Sequence, residues 1–398
     1  MVGPDEGQCR SREGEGRTST PLRILTESMS LDPLGGIEIC TLQDSIELAA
    51  RGHHLDLMYG ADGVMRPRFE SAGIGLQGPV SFDFDVHRPV RGLASFAGPA
   101  RWARSRKPDV LWLTRFEHIY WAEALALWSR CPIVCQLHQM PNEYRLSQLR
   151  RGVAHFIAVS NFMRGAWIGA GLNPDRVSVV SNALPPAEYP RGGLPERATA
   201  RRRLGIPVDA TIVLYYGRII LEKGVGTLLD AWAGLGLSVD QAQLILVGSP
   251  SPFGDPSLGR QLRGMDSSSI RWFSMQSDVI PFLHAADLVV FPTWLDEGFG
   301  RVVIESMATG RPVVASRVGA VPEILSGPME RFLVEPRNSD ELGARIRSML
   351  EWRRTEPDLE AKCVKWVDER YSYAQHIADL EDELERNRRR GPRISRFG

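Results

Sequence analysis

Residues 291–316 read FPTWLDEGFGRVVIESMATGRPVVAS. The run from Leu288 to Thr293 predicts a buried strand, Trp294 to Gly300 a loop, and Arg301 to Thr309 a helix stopped by Gly310, with Pro312 restarting the sheet. Strand, helix and strand in that order make a parallel crossover unit. The helix therefore begins at the carboxyl end of a strand, where its free N–H groups and positive dipole end form an anion site. Gly298 and Gly300 let a phosphate approach the backbone closely. Two carboxylates flank this site, Glu297 in the loop and Glu305 in the helix. Glu305 lies one turn in, on the face of Arg301, where it would accept from two hydroxyls such as a ribose diol rather than meet the phosphate, since like charges repel. Glu297 would point at whatever lies on the phosphate's far side. The pair suits a molecule with a diphosphate in its middle and hydroxyls at both ends.

Outward from this stretch, short β-branched runs alternate with helical patterns from residue 22 onward, as in parallel sheets covered by helices. Strands are expected at 22–28, 53–59, 109–114, 132–138, 155–160 and 177–182, which makes one doubly wound half. Between 183 and 198 the composition changes to ALPPAEYPRGGLPERA, a Pro- and Gly-broken linker. A second series follows at 211–217, 242–248, 269–273, 287–293 and 312–316. The expected fold is α/β, two Rossmann-like doubly wound domains facing each other across a cleft, over residues 21–190 and 191–370. Ligands in such sheets bind beyond the carboxyl ends of the strands.

A chain of 398 residues exceeds what one core usually supports, which agrees with two domains. Lys plus Arg equals Asp plus Glu at 48 each, so no global cationic field collects nucleic acid. Residues 1–20 are polar and Gly-, Arg- and Glu-rich, and are expected to be a disordered leader without a signal peptide. No apolar stretch approaches the roughly 20 residues that span a bilayer, and a cytoplasmic location is expected. Five cysteines, at 9, 40, 131, 135 and 363, make no metal spacing, and Cys131 and Cys135 read as buried small hydrophobes. Residues 371–398 read as a polar helix and basic tail, taken as solvated, with contact to an anionic membrane surface as the other reading.

A second constellation, YYGRIILEKGVGTLLDAW, ends its strand at Gly217 and gives Arg218 and Lys223 before a helix whose inner face carries Val225, Leu228, Leu229 and Trp232. Two cations at a strand's carboxyl end are placed to neutralise a diphosphate leaving group without a metal. The competing reading is a surface pair with Glu222.

GRIILEKG, the 291–316 stretch and VGAVPEIL, in this order, resemble the retaining glycosyltransferases of family 4, with the two-domain GT-B fold. The resemblance runs from Leu22 to about Tyr373 and is strongest over 211–325. It implies a nucleoside-diphosphate sugar as donor, held mainly by the second domain, and no cofactor. It places Arg218 and Lys223 on the diphosphate, Glu297 on sugar hydroxyls, the backbone of Gly298, Phe299 and Gly300 at the donor sugar and its phosphate, Arg301 and Val302 near the phosphates, and Glu305 on the ribose. Gly35 and Gly36 sit where the first strand meets its helix; a tight turn explains them alone, and the resemblance implies a loop that closes over the diphosphate. His138, ending the strand PIVCQLH, takes the family's cleft position beside the donor sugar, whereas His53, His54, His87, His118, His155, His284 and His376 have no comparable setting.

Asp83–Phe84–Asp85 looks like a metal-binding DxD but reads as a loop. RWARSRKPD, residues 101–109, reads as a solvated helix face, with a basic membrane patch as its alternative. Ser274 replaces a glycine that many relatives carry beside the base, so UDP- and GDP-linked hexoses both stay open. The expected reaction is glycosyl transfer with retention to a hydroxyl acceptor: a natural product, polysaccharide or lipid. A nucleotide-sugar 2-epimerase and a non-catalytic nucleotide-sugar binder are the alternatives; a nicotinamide dehydrogenase lacks G-x-G-x-x-G after LRILTES. Acceptor contacts are expected from loops within residues 60–100 and 139–150.

Overall fold

The computed structural model describes residues 20–84, 94–141, 152–250 and 269–388. The leader up to residue 19, Asp85 of the DxD-like triplet, His87, residues 142–150 of the acceptor loop and the tail from 389 lie outside the described residues.

The first sheet contains β1 (Arg23–Ser30), β2 (His54–Ala61), β3 (Gly75–Gln77), β4 (Val110–Leu113), β5 (Ile133–Leu137), β6 (Val153–Ala158) and β7 (Val177–Val179), all parallel, in the order β3-β2-β1-β4-β5-β6-β7. The second holds β8 (Ile212–Tyr216), β9 (Gln243–Val247), β10 (Ile270–Phe273), β11 (Leu288–Phe291), β12 (Val313–Ser316) and β13 (Leu333–Val334), again all parallel, in the order β10-β9-β8-β11-β12-β13. Helices cover both faces of each sheet, so the inner strands are apolar throughout: VLWL in β4, IVLYY in β8 and LVVF in β11 are buried at every position.

Each sheet reverses direction once. The chain runs from β1 outward to β2 and β3, then returns to the other side of β1 as β4; likewise β8 leads to β9 and β10 before β11 returns beside β8. Crevices at such reversals, outside the carboxyl ends, are where doubly wound sheets bind ligands. The molecule therefore has two crevices, between β1 and β4 and between β8 and β11.

The expected strands are present, each within a few residues. β3 and β13 went unread because both are very short edge strands, three and two residues, with no run of alternating or β-branched residues to mark them. The larger departure is the end of the chain. The helix Leu359–Arg370 packs on the helix Arg301–Ala308, and Tyr373–Arg386 then crosses to the helix Gly36–Ala50 of the first domain. Ile377, Leu380 and Leu384, spaced i, i+3 and i+7, are fully buried in a cluster with Leu42, Leu48, Trp112 and Val134. This segment is not a solvated tail: three apolar residues on one face suffice to dock it while its other faces stay charged. Truncating Leu380 to Ala would cost about 2–5 kcal/mol.

Cys131 and Cys135 are buried. Among the described residues no helix is long and apolar enough to cross a membrane.

Candidate active site

Both sequence constellations fall at the crevice of the second sheet. β8 ends at Tyr216, and Gly217, at φ 138°, turns the chain so that Arg218 follows at the carboxyl edge. Arg218 is exposed and its guanidinium has no ion-pair partner among the described residues, while its carbonyl accepts from the Tyr215 hydroxyl at 2.7 Å. The loop then closes on Gly224, at φ 73°. A Cβ there would lie 1.9 Å from the Pro292 carbonyl oxygen, so glycine lets the loop after β8 seat directly on the end of β11. This seating delivers Lys223 to the loop after β11.

Lys223 does not pair with Glu222. Its ammonium is bonded to the Glu297 carboxylate and lies 5.6 Å from the centre of the Phe291 ring. The Thr293 hydroxyl stands 3.3 Å from the same Glu297 oxygen and 3.2 Å from the Glu222 carbonyl. Cation and carboxylate thus face each other across the crevice, both mostly buried.

Beyond Glu297 the loop meets the first domain. A Cβ on Gly298 would lie 2.6 Å from the carbonyl oxygen of His138 and 3.2 Å from Met163 Sδ. Ser160, the N-cap of the helix Asn161–Gly169, accepts from the Met163 N–H at 3.1 Å and donates its own hydroxyl to the Gly298 carbonyl at 2.6 Å. Glu323, in the helix Val321–Ile324, accepts from the backbone N–H groups of Asn161 and Phe162 and so caps that helix from the other domain. Phe299 is buried edge-on against Tyr371, and Gly300, at φ 98°, is the N-cap of Arg301–Ala308. The first N–H groups of that helix, at Arg301 and Val302, have no acceptor within the helix.

His138 follows β5, and its backbone carbonyl abuts this loop at Gly298. Its Nε2 is buried without a hydrogen-bond partner among the described residues. Burial, then the charges of Arg115, His376 and Arg301, push its pKa down to about 3. The imidazole is neutral at ordinary pH, with one ring nitrogen a donor and the other an acceptor.

Arg301 and Glu305 both have partners within the protein. The Arg301 guanidinium is buried, donating to Glu305 at 3.0 Å, to the Cys40 sulfur at 2.9 Å, to Gln43 at 3.1 Å and to the Tyr189 hydroxyl at 3.2 Å. The reason is the helical period, which aims this position inward at the first domain. Besides Arg301, Glu305 accepts from the Tyr189 hydroxyl at 3.2 Å and the Tyr216 hydroxyl at 2.9 Å, so a ribose diol would have to share or displace those hydroxyls. Of the two glycines, Gly35 is in extended backbone that any residue adopts, while a Cβ on Gly36 would lie 3.1 Å from Arg301 Cδ.

Tyr189, Tyr216, Ser160 and Glu323 went unassigned in the sequence. Glu323 lies in VGAVPEIL and Tyr216 in YYGR, but neither pattern says what the side chain meets; Tyr189, in the linker, carries no signal. His118, set aside there, is bonded at 2.8 Å to the fully buried Glu27 at the crevice of the first sheet. Burial alone would raise the Glu27 pKa, but His118, Thr114 and Arg115 hold it below the usual carboxylate range. Among the described residues no group of three or more His, Cys, Asp or Glu side chains is placed to hold a metal ion. A groove of about 580 Å³ lined by Arg23, His54, Asp56 and Arg106 lies at the amino edge of the first sheet, away from both crevices.

Residues 34–188 match the family model described as Glycosyltransferase Family 4, and residues 210–351 the model described as Glycosyl transferases group 1. The lipopolysaccharide 1,2-N-acetylglucosaminetransferase of Salmonella typhimurium is 30% identical over 58% of this chain and 62% of its own length. The D-inositol 3-phosphate glycosyltransferase of Corynebacterium efficiens is 38% identical over 41% of this chain and 40% of its own. The chain thus spans about half the length of these two relatives. The Anabaena protein HepE, solved in complex with UDP and glucose, superposes with a TM-score of 0.79 over 92% of this chain and all of that one at 22% identity, which shows a shared fold. With both halves matched and both sheets doubly wound about facing crevices, the chain belongs to glycosyltransferase family 4 and has the GT-B fold.

Proposed function

We propose that the protein moves a hexosyl unit from a UDP- or GDP-linked sugar to a hydroxyl acceptor with retention at the anomeric carbon, the donor held by residues 191–370 and the acceptor by residues 21–190. The observation that carries this reading is the convergence of Arg218, Lys223, Glu297 and the amino end of Arg301–Ala308 on one crevice, faced by His138. In the reaction the bond from the anomeric carbon to the diphosphate oxygen breaks, its electron pair leaving with the diphosphate. Arg218, Lys223 and the helix N–H groups stabilise that growing charge, and preorganised charge of this kind is usually the largest catalytic contribution. The acceptor oxygen bonds to the same face of the carbon, and its proton passes to the departing phosphate oxygen. Glu297 and the neutral His138 hold sugar hydroxyls; Glu305, with Tyr216, holds the ribose.

The acceptor classes to try first are those in the relatives' names, an inositol phosphate and a lipopolysaccharide sugar. The crevice between β1 and β4, with Glu27 and His118, is the acceptor side. A cytoplasmic location and weak contact with anionic lipid belong to the same proposal. Supporting the latter, Leu127 and Trp128 are exposed near the end of the helix Ile119–Ser129, Arg104 donates to the Trp128 carbonyl at 3.3 Å, and Arg101, Arg104, Lys107 and Arg130 have no carboxylate partner among the described residues.

Calorimetry with UDP-glucose, UDP-N-acetylglucosamine and GDP-mannose tests the donor site, followed by mass analysis of donor with and without acceptor. Binding and acceptor-dependent release of nucleoside diphosphate are expected. No binding of any of them would remove the reading; conversion of the donor alone to its 2-epimer would replace it with epimerisation.

A further inference from the structure

We propose that Arg301 is a positioning residue that couples donor binding to closure of the two domains, acting through Glu305 on one side and the helix Gly36–Ala50 on the other. This rests on the nucleotide-sugar reading of the site above.

The guanidinium uses all three of its nitrogens and spends them on different parts of the molecule. Nε holds Glu305, one turn along its own helix, at 3.0 Å. Nη1 reaches Cys40 and Nη2 reaches Gln43, both in the first domain, at 2.9 and 3.1 Å. Nη2 also donates to Tyr189, in the linker between the domains, at 3.2 Å. Cys40 is a neutral thiol acceptor, its pKa pushed up by burial to about 11. Gln43 is braced in turn by donating its amide to Glu188 at 2.9 Å.

Gly36, Cys40 and Gln43 are spaced i, i+4 and i+7, so they share one face of their helix, and that face lies along the Arg301 side chain. The glycine pair at the start of this helix is the loop expected over the diphosphate. One side chain therefore touches the helix behind that loop and the carboxylate expected at the ribose. Opening the domains would remove the Cys40 and Gln43 acceptors and expose a charge that is now buried, while a donor that fixes Glu305 fixes the guanidinium with it. A ligand shifts such an equilibrium only through contacts that differ between the two states, and Glu305 held by Arg301 supplies one.

The test uses the full-length protein and its Arg301→Met, Arg301→Lys and Gln43→Met variants. Affinities for UDP, UDP-glucose, GDP and GDP-mannose are measured by calorimetry, and radii of gyration with and without nucleotide by small-angle scattering. Gln43 is placed in neither the donor nor the acceptor machinery, so an effect of its loss on donor affinity reports the coupling and not a lost donor contact. Both Met variants are expected to bind about tenfold more weakly, within the range typical of coupled sites, and to lose nucleotide-induced compaction; Arg301→Lys, which keeps a cation near Glu305, recovers part of the affinity. Should Arg301→Met not fold, Gln43→Met alone decides. Wild-type affinity and compaction in Gln43→Met, with the wild-type protein binding nucleotide, would overturn the coupling and leave the donor reading intact. Absence of nucleotide binding by the wild-type protein would overturn both.

Discussion

The Lys223 ammonium is bonded to the Glu297 carboxylate, joining the loop after β8 to the loop after β11 at the crevice of the second sheet. The two charges therefore neutralise each other, and under the proposed function a donor would insert a diphosphate beside the cation and hydroxyls beside the carboxylate. Lys223→Ala is expected to lower turnover by about 10² to 10³, by analogy with lost oxyanion donors. Because the two side chains share one interaction, Lys223→Ala/Glu297→Gln should lose less than the sum of the single losses. Initial rates of diphosphate release measure all three; an active Lys223→Ala enzyme would remove the cation from the mechanism.

Gly298→Ala is expected to push the donor loop off the first domain. The added methyl would meet the His138 carbonyl at 2.6 Å, backbone against which it cannot slide, and would strain the bond from Ser160 to the Gly298 carbonyl. Overpacking of this kind costs about 1–3 kcal/mol. Slower turnover with a larger radius of gyration is the expected pair of results, and a variant as compact and active as the parent would contradict the closed interface.

His376 sets a pH dependence of stability. It is buried on the C-terminal helix with Nε2 3.1 Å from Asp44 Oδ2 and Nδ1 2.8 Å from the Ser181 carbonyl oxygen. Burial alone would lower its pKa, but Asp44 and Ser181 more than offset this, and the folded value is raised. The folded state thus holds the proton more tightly than the unfolded chain, whose histidine titrates near 6.5. The pair's stabilisation is complete below that pH and is lost as pH rises through the folded value. His138 acts oppositely, since its lowered pKa costs stability as pH falls from about 6.5 toward 3. His376→Gln should flatten the alkaline limb of a plot of melting temperature against pH and leave the acid limb; an unchanged alkaline limb would show that the pair does not titrate there.

The exposed Leu127 and Trp128, beside cations that have no carboxylate partner among the described residues, predict association with anionic vesicles. The protein should co-sediment with vesicles of phosphatidylglycerol and phosphatidylcholine at low salt, release at high salt, and ignore pure phosphatidylcholine. Leu127→Glu/Trp128→Glu should abolish the association. Equal binding to both vesicle types, or a concentration-dependent dimer lost in the same variant, would assign the surface to something other than anionic lipid.

The sequence by itself determined the parallel sheets, because a strand buried on both faces must be apolar along its whole length, and glycine and proline mark where such runs stop. It also determined that Arg218, Lys223, Glu297 and the helix after Gly300 stand at carboxyl ends of strands, since those positions follow from local order alone. It did not determine what those side chains touch. The Lys223–Glu297 bond, the turning of Arg301 toward Cys40 and Gln43, the tyrosines on Glu305 and the docking of Tyr373–Arg386 join segments far apart in the chain. Such contacts depend on how strand order reverses and how closely the domains approach, and a charged residue reads the same in sequence whether it faces water, a ligand or another domain. It is the tertiary structure that buries some of these groups against protein partners and leaves Arg218 exposed at the edge of the second sheet.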